Sequence, residues 1–237
     1  MNNKKGIHIE NLSKSYGQGE NAVHALKDVT MKVSPGEVVG LIGPSGSGKS
    51  TLLKCLGAII EPTSGRMTLG DDVIYDDVWK VQDLRALRRD KIGFVFQAPY
   101  LIPFLDVTDN VALLPMLAGQ PNVIARNKAL ELLTALDVQH RATAMPSQLS
   151  GGEQQRVAIA RGLVNQPPVI LADEPTAPLD SERAMAVIRI LNNMARKFET
   201  AIIVVTHDEK IIPTFKRIYN IRDGITYEEA GEGRGFN

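Results

Sequence analysis

The chain has 237 residues, of which 43% are hydrophobic and 23% are charged, as is usual for a folded globular protein. Its 27 basic and 27 acidic residues balance, so no net charge draws it toward nucleic acid, and we expect no nucleic-acid partner. The single cysteine, Cys55, excludes an internal disulfide and is typical of a reducing compartment. No signal peptide is expected, and no apolar run approaches the ~20 residues that span a bilayer, so any membrane span must come from a partner.

The N-terminal part of the chain is predicted to form strands. Residues 7–12 and 29–33 alternate apolar and polar side chains, which indicates half-exposed antiparallel strands. Residues 38–42 form a short apolar run after a Ser-Pro-Gly-Glu turn, which is typical of a strand buried on both faces. A glycine-rich loop follows directly, and the next predicted element is a helix at residues 49–60.

That loop, GPSGSGKS at residues 43–50, fits the pattern G-x-x-x-x-G-K-[ST] between a strand and a helix. Its glycines let backbone N–H groups turn toward phosphate oxygens, and the helix start adds its positive dipole end. In this pattern Lys49 reaches the β- and γ-phosphates, and the Ser50 hydroxyl ligates Mg²⁺. The predicted nucleotide-binding residues of the loop are Gly43, Pro44, Ser45, Gly46, Ser47, Gly48, Lys49, Ser50 and Thr51.

The rest of the chain alternates strands and helices. Short apolar runs predict strands at residues 92–96, 169–172 and 201–205, and amphipathic spacing predicts a helix at residues 181–198. Residues 98–149 contain several prolines and few strand-like runs, so we interpret them as a mainly helical insertion. Alternating β and α units imply an α/β fold with a mainly parallel sheet covered by helices.

Polar side chains stand where three of these strands end. Asp173 and Glu174 end one buried strand, and Gln97 and His207 each follow another. Open α/β sheets bind ligands at the carboxyl ends of their strands. We therefore expect Asp173 and Gln97 to hold Mg²⁺, while Glu174 acts as general base on water. His207 is expected to hydrogen-bond the γ-phosphate. Taken alone, the acidic pair could equally cap a helix, and a single glutamine or histidine after a strand is usually a solvated loop residue.

A second helix start that suits an anion lies at Ser150-Gly151-Gly152. Serine is a good N-cap, and glycine N–H groups at a helix start can bind phosphate. By itself the segment is most simply a capped helix. One ATP, however, needs only one phosphate-binding helix start. Two such helix starts far apart in sequence therefore favour a two-fold dimer in which each copy closes over the ATP of the other.

Tyr16 follows the first predicted strand, where its ring could stack on adenine. A half-buried tyrosine at a strand end is an equally good interpretation of the same position. Cys55 lies in the helix after the phosphate loop, and we interpret it as apolar packing rather than chemistry.

This ordered set of motifs resembles the ATP-binding cassette (ABC) ATPases over about residues 7–225. By that likeness, residues 43–50 are the Walker A loop, residues 169–174 the Walker B strand and residues 149–153 the signature motif. The resemblance implies a P-loop core with a mainly parallel sheet, an N-terminal antiparallel β subdomain and an inserted helical subdomain.

The resemblance also assigns single residues and boundaries. Gln97 stands at the Q-loop, His207 at the switch histidine, Tyr16 at the adenine-stacking A-loop and Asp180 at the D-loop of the nucleotide site. The ATPase domain is expected over residues 1–227, with its helical subdomain at about residues 98–150. The last residues, 228–237, are rich in Gly and Glu and are expected to be a disordered tail.

Two positions depart from the family pattern. The fifth residue of the signature is Glu153, where glutamine is commonest, although Ser150, Gly151 and Gly152 are intact. Pro178 occupies a D-loop position where a small residue is usual, and proline removes a backbone N–H there. This departure bears on communication between two ATP sites through the loop.

The family likeness implies an ATPase subunit that binds two MgATP in a head-to-tail dimer and drives a membrane permease at its helical subdomain. Such a subunit is cytoplasmic and peripheral on the inner face of the membrane. Residues 22–29, 87–97 and 101–114 resemble the lipoprotein-release and macrolide-export group, which implies extrusion of a lipoprotein, lipid or drug. That group also implies an extracytoplasmic adaptor reached through the permease.

The alternative is a mechanotransmitting ATPase similar to FtsE, which drives a membrane partner without moving cargo. ABC proteins of DNA repair carry a long coiled coil, and ribosome-binding members carry two cassettes. This chain has neither feature, so both classes are disfavoured.

Overall fold

The computed structural model describes residues 6–17, 19–177 and 179–234. The strands described are β1 (Ile7–Tyr16), β2 (Val23–Val33), β3 (Val38–Ile42), β4 (Ser64–Leu69), β5 (Asp72–Asp76), β6 (Val78–Trp79), β7 (Ile92–Val95), β8 (Val169–Asp173), β9 (Ala201–Val205), β10 (Arg217–Arg222) and β11 (Ile225–Ala230). The α-helices described are α1 (Lys49–Leu56), α2 (Leu84–Lys91), α3 (Val107–Leu117), α4 (Asn122–Ala135), α5 (Gly151–Leu163) and α6 (Ser181–Phe198). None of these helices combines the length and the apolar character that crossing a bilayer requires.

Within these ranges the strands form two sheets. One is antiparallel, with the order β2-β1-β4-β5-β6. The other has the order β11-β10-β3-β9-β8-β7, and its strands run parallel except for β11, which forms an antiparallel hairpin with β10. The predicted α/β fold with a mainly parallel sheet and an N-terminal antiparallel β subdomain is confirmed.

The central parallel strands are buried on both faces, which explains their nearly continuous apolar sequences. Alternate residues of one strand belong to two different hydrophobic cores. Ile203 and Val205 of β9 pack in the core that also contains α1 and the antiparallel sheet. Ile202 and Val204 pack in the core that contains residues of α3 to α6. The strand ends of this sheet are therefore held rigidly between two packed layers.

The segment between β7 and α5 is helical, as its sequence indicates. It contains α3, α4 and two short 3₁₀ turns at Gln139–Arg141 and Pro146–Gln148. The Asp106 carboxylate caps α3 by accepting a hydrogen bond from Asp109 N at 2.7 Å. Both helices pack against α5 through buried apolar side chains, including Val111, Leu133 and Val157.

Several predicted boundaries differ from the structure. The strands predicted at residues 7–12 and 29–33 belong to the longer strands β1 and β2, and β7 and β8 each end one residue from the predicted position. The helix after the phosphate loop ends at Leu56 rather than residue 60, because Ala58 adopts a left-handed φ of 51° that stops the helix. A disordered tail was expected at residues 228–237, but residues 228–230 belong to β11. Glu228 pairs with Tyr219 across the β10–β11 hairpin. Its carboxylate accepts hydrogen bonds from Arg217 Nε at 3.0 Å and Tyr219 OH at 2.8 Å, and these contacts order the strand. Residues 235–237 lie outside the described part of the chain.

Candidate active site

Four parallel strands end at one level and present their following residues to one cavity. The register pairs Val205 with both Leu41 and Asp173, and it pairs Val95 with Ala172. The cavity has a volume of about 750 Å³. It is lined by Ala25, Gly43, Pro44, Ser45, Gly46, Gly48, Lys49, Ser50, Thr51, Gln97, Asp173, Glu174, Val205 and His207. The structure thus brings together the predicted phosphate loop and the polar residues of three other strand ends.

The loop after β3 has a backbone that only glycine can adopt at two positions. Gly43 has a φ of +151°, and a Cβ there would lie 2.2 Å from Ile221 O of β10. Gly48 has a φ of +111°, and a Cβ there would lie 2.6 Å from Ala25 O of β2. Gly48 also begins α1 without a side-chain cap, so the N–H groups of the first helical turn stay available to a ligand.

Two side chains of the loop fit a phosphate group. The hydroxyl of Ser47 is buried and has no hydrogen-bond partner among the described residues. Lys49 Nζ donates to the carbonyl oxygens of Gly43 at 2.6 Å and Pro44 at 2.8 Å, so the ammonium group lies over the loop. An unpaired hydroxyl, uncapped N–H groups and an ammonium group together form the donor set that a triphosphate requires.

Asp173 ends β8 inside the cavity. Burial raises the pKa of its carboxyl group, and the nearby Glu174 carboxylate raises it further, while Lys49 and Lys54 act in the opposite direction. A cation beside Asp173 would favour the charged carboxylate. Ser50, Gln97 and Asp173 line the same cavity and offer a hydroxyl, an amide oxygen and a carboxylate. Oxygen donors of this kind fit Mg²⁺.

Glu174 and His207 contact each other directly. His207 Nδ1 lies 2.6 Å from Glu174 Oε1. Glu174 is held by a hydrogen bond from its backbone N to Val205 O at 3.0 Å, and its φ of 49° is a strained, left-handed conformation. The histidine side chain is 75% exposed, whereas the glutamate side chain is only 16% exposed. The sequence predicted both residues for the site but not their mutual hydrogen bond.

Several residues predicted for the nucleotide do not line this cavity. Ser150 and Gly152 line a separate, smaller cavity of about 170 Å³ between α5 and α6. Gly151 is exposed at the first position of α5. Asp180 caps α6, and its carboxylate accepts a hydrogen bond from Arg183 N at 3.0 Å. Tyr16 is exposed at the end of β1, with Lys14 Nζ 5.1 Å from its ring centroid.

The unusual Glu153 has a structural partner. Ser150 and Glu153 form a capping box at the start of α5, in which Ser150 N donates to Glu153 Oε2 at 2.7 Å. Arg141 Nε donates to Glu153 Oε1 at 2.8 Å. The Arg141 hydrogen bond, followed by that of Ser150 N, lowers the pKa of the Glu153 carboxyl to about 2. A charged glutamate therefore suits this position. Pro178, the other departure from the family pattern, lies outside the described residues.

Sequence reasoning did not single out two residues of α5 that contact the segment around Gln97. Gln155 Nε2 donates to Phe96 O, and the Arg161 guanidinium donates to the carbonyls of Pro99 and Tyr100. A single sequence contains no signal for these contacts, because the acceptors are backbone oxygens about sixty residues away.

Comparisons with known proteins define the class of this chain. The family model described as ABC transporter matches residues 26–177. The lipoprotein-releasing system ATP-binding protein LolD of Idiomarina loihiensis is 41% identical over 225 residues, which cover 95% of this chain and 98% of LolD. The macrolide export ATP-binding/permease protein MacB of Marinobacter nauticus is 42% identical over 226 residues, which cover 95% of this chain but 34% of MacB.

A solved structure gives the same result. It is the dimeric, post-hydrolysis structure of the ATP-binding cassette MJ0796 of Methanocaldococcus jannaschii, bound to ADP and Pi. That chain is 39% identical, with a TM-score of 0.81, and the match covers 97% of the present chain and 100% of the other. The protein therefore belongs to the ABC transporter family. It is the ATP-hydrolysing subunit of an ABC transporter, and it uses ATP with Mg²⁺.

Proposed function

We propose that two copies of the chain bind two MgATP between them, head to tail, and that hydrolysis drives a membrane permease. The observation that carries this proposal is that the phosphate loop and the start of α5 line two different cavities of one chain. The cavity contains the phosphate loop, whereas Ser150 and Gly152 line a different cavity and Gly151 is exposed. A two-fold partner could place its own α5 start over the bound nucleotide. The dimer of the similar cassette MJ0796 supports this arrangement.

The residues of the cavity have separate roles in this proposal. Lys49 and the backbone N–H groups of residues 45–51 hold the phosphates, and Tyr16 stacks on the adenine. Ser50, Gln97 and Asp173 hold Mg²⁺, which neutralises charge on the phosphate oxygens when it is bound. Asp180, in the D-loop, lies at the contact between the two copies.

Glu174 accepts the proton of the attacking water in this proposal. Its Oε1 atom lies 2.6 Å from His207 Nδ1, so this oxygen becomes available to water only when His207 moves away. The exposed imidazole can then donate to the γ-phosphate instead. The availability of Glu174 Oε1 to water therefore depends on which group His207 contacts.

The same chain offers a docking surface for a permease. An open groove of about 780 Å³ lies between α2, β7, α3 and α5. Apolar side chains that line it include Ile92, Phe94, Leu113, Leu114 and Leu117, and the charged ones are Asp83, Arg85, Arg88, Arg89 and Arg161. Phe96 and Tyr100 also line it and flank Gln97 in sequence. A permease segment in this groove would therefore contact the chain beside the Mg²⁺ site.

The groove can be tested with a matched pair of substitutions. Leu114→Glu places a charge in the groove, whereas Val123→Glu places one on an exposed apolar residue of α4 outside it. We expect Leu114→Glu to release the chain from membranes of its native cell and Val123→Glu to leave it bound, as measured by sedimentation. Equal binding of both variants would contradict docking in the groove. Binding to the inner face would make the chain cytoplasmic and peripheral.

The dimer can be tested by blocking the start of α5. Ser150→Arg should leave ATP binding to the isolated chain intact, because Ser150 does not line the cavity, but should prevent ATP-dependent dimers. Thr134→Arg, on the exposed side of α4, is the control. Light scattering with and without ATP measures the mass. Undiminished dimers of Ser150→Arg would remove this segment from the interface.

The similarity to LolD and MacB supports outward movement of a lipoprotein, lipid or drug. We propose in addition an extracytoplasmic adaptor that the chain reaches through the permease. The alternative is a mechanotransmitting ATPase that moves no cargo. Transport assays in vesicles that contain the chain and its copurifying permease separate the two. Cargo accumulation that requires ATP and Glu174 supports export, and ATP turnover without any cargo movement supports mechanotransmission.

A further inference from the structure

Arg161 binds the backbone directly after the segment of Gln97. Its Nη1 atom donates to Tyr100 O at 2.7 Å, and its Nη2 atom donates to Pro99 O at 2.7 Å. The planar guanidinium thus joins two adjacent carbonyls, which a lysine ammonium cannot do with the same geometry. These contacts hold a segment without regular secondary structure against α5.

A second side chain of α5 binds the backbone on the other side of Gln97. Gln155 is fully buried, and its Nε2 atom donates to Phe96 O at 3.4 Å. Carbonyls at positions 96, 99 and 100 are therefore all bound by α5. Gln97, which lines the cavity, lies between these anchors.

The body of α5 is fixed against the strand that leads to Gln97. A Cβ on Gly93 of β7 would lie 2.4 Å from Gly162 O of α5, so the strand and the helix approach as closely as their backbones allow. Side chains of α5 such as Ile159 and Leu163 are fully buried in the core. The helix is therefore a rigid connection from Ser150 at its start to the anchors of Gln97 near its end.

We propose that Arg161 is a positioning residue, which holds residues 99 and 100 on α5 so that the Gln97 amide stays at the Mg²⁺ site. This inference rests on the proposed role of Gln97 and deepens it.

The test is a double-mutant cycle on the full chain that combines Arg161→Met with Gln97→Ala. We expect Arg161→Met to lower kcat roughly 10- to 100-fold, because small misplacements of a catalytic group cost that much. It should also raise the Mg²⁺ concentration for half-maximal turnover and, in titration calorimetry with a non-hydrolysable ATP analogue, weaken the binding of Mg²⁺. The KM for ATP should change less than about twofold, since Arg161 does not line the phosphate loop cavity. The double variant should be no slower than Gln97→Ala alone.

Arg126→Met is the matched control, because this arginine of α4 also holds a neighbouring segment but does so at Asp106 and Asp109. It should leave kcat and the Mg²⁺ dependence unchanged. Arg161→Lys keeps the charge and most of the length of the side chain. It replaces Arg161→Met in the experiment if urea unfolding shows that Arg161→Met is not folded. An intermediate loss of kcat is expected for the lysine variant, since one of the two hydrogen bonds remains possible.

The outcomes separate this inference from the proposed function. If a folded Arg161 variant turns over ATP at the unaltered rate, or if its effect multiplies with that of Gln97→Ala, Arg161 does not act through Gln97. If Gln97→Ala itself changes neither turnover nor Mg²⁺ dependence, Gln97 is not at the metal site, and the proposed roles of both residues are wrong.

Discussion

The hydrogen bond between Glu174 and His207 defines the chemistry at the scale of single residues. The glutamate is largely buried and backbone-strained, and its Oε1 atom is occupied by the imidazole. Strain of this kind persists only where the surroundings hold it, and here the bond to Val205 O does so. The structure therefore holds the carboxylate that we propose as general base in position, with one of its oxygens bound by a neighbour.

Glu174→Gln should retain ATP binding and lose turnover. The amide cannot accept the proton of water, so we expect kcat to fall at least about 100-fold, the scale that a general base contributes. The phosphate loop is unaltered, and the ATP-bound dimer should accumulate in size-exclusion chromatography. Glu131→Gln, on the exposed face of α4, is the control and should behave as the unaltered chain. A Glu174→Gln chain that hydrolyses ATP at the parent rate would exclude this residue as the base.

Glu153 gives a prediction for the dependence of stability on pH. Its pKa is lowered from an ordinary value of 4.5 to about 2, so the carboxylate stabilises the fold fully above pH 4.5 and progressively less as the pH falls toward 2. Glu153→Gln should reduce the free energy of unfolding by about 1–2 kcal/mol near pH 7, and the difference should shrink below pH 4.5.

Urea unfolding between pH 7 and pH 3 measures this difference. His140 Nε2 lies 3.4 Å from Glu153 Oε1, so both chains are also compared in a His140→Gln background, which removes the neighbouring imidazole. A difference that stays constant down to pH 3 would show that the Glu153 charge does not stabilise α5. Glu131→Gln serves again as the exposed control.

At the scale of secondary-structure elements, the close contact of α5 with β7 is the one on which we expect the stability of the fold to depend. Gly93→Ala would bring a methyl group to 2.4 Å from Gly162 O and 2.9 Å from Ile170 Cγ1. The backbones have to separate, so we expect a loss of about 2–3 kcal/mol in the free energy of unfolding. Gly151→Ala is the control for stability, because no atom outside its chain neighbours and its own helix backbone lies within 4 Å of the added Cβ. Denaturant melts with equal midpoints for Gly93→Ala and the unaltered chain would contradict the close packing.

The elements differ in how well the sequence predicts them. The strand at Ala201–Val205 and the helix at Ser181–Phe198 have the predicted bounds, because a short buried strand and a long amphipathic helix have clear periodicity. β10 lacks this signal, since its buried residues include the polar Asn220. β11 exposes most of its residues, so its acidic sequence resembled a disordered tail.

The sequence also predicts one part of the candidate site and misses another. The strand ends identified Asp173, Glu174, Gln97 and His207 because parallel strands share one functional edge. The contacts of Arg161 with Pro99 and Tyr100 were not predictable, because they join backbone carbonyls to a helix far along the chain. Local periodicity does not record such tertiary contacts.

The whole molecule carries one cavity with the phosphate loop and a separate helix start with Ser150. The first contains Lys49, two carboxylates and the Gln97 amide, whereas the second contains the Ser150 hydroxyl, the N–H groups of a helix start and the side chains of Glu153, Arg156 and Arg183. A single copy would leave the bound nucleotide open on one side. Two copies related by a two-fold axis would complete both sites with the same pair of surfaces. The turnover rate should then depend on association of the chains.

Turnover per chain, measured against chain concentration at saturating MgATP, tests this dependence most directly. Light scattering of the same solutions reports the dimer fraction. Turnover per chain should rise with concentration in parallel with the ATP-bound dimer and vanish at dilutions where the chain is monomeric. Turnover per chain that stays at its full value in a strictly monomeric solution would contradict a site shared between two copies.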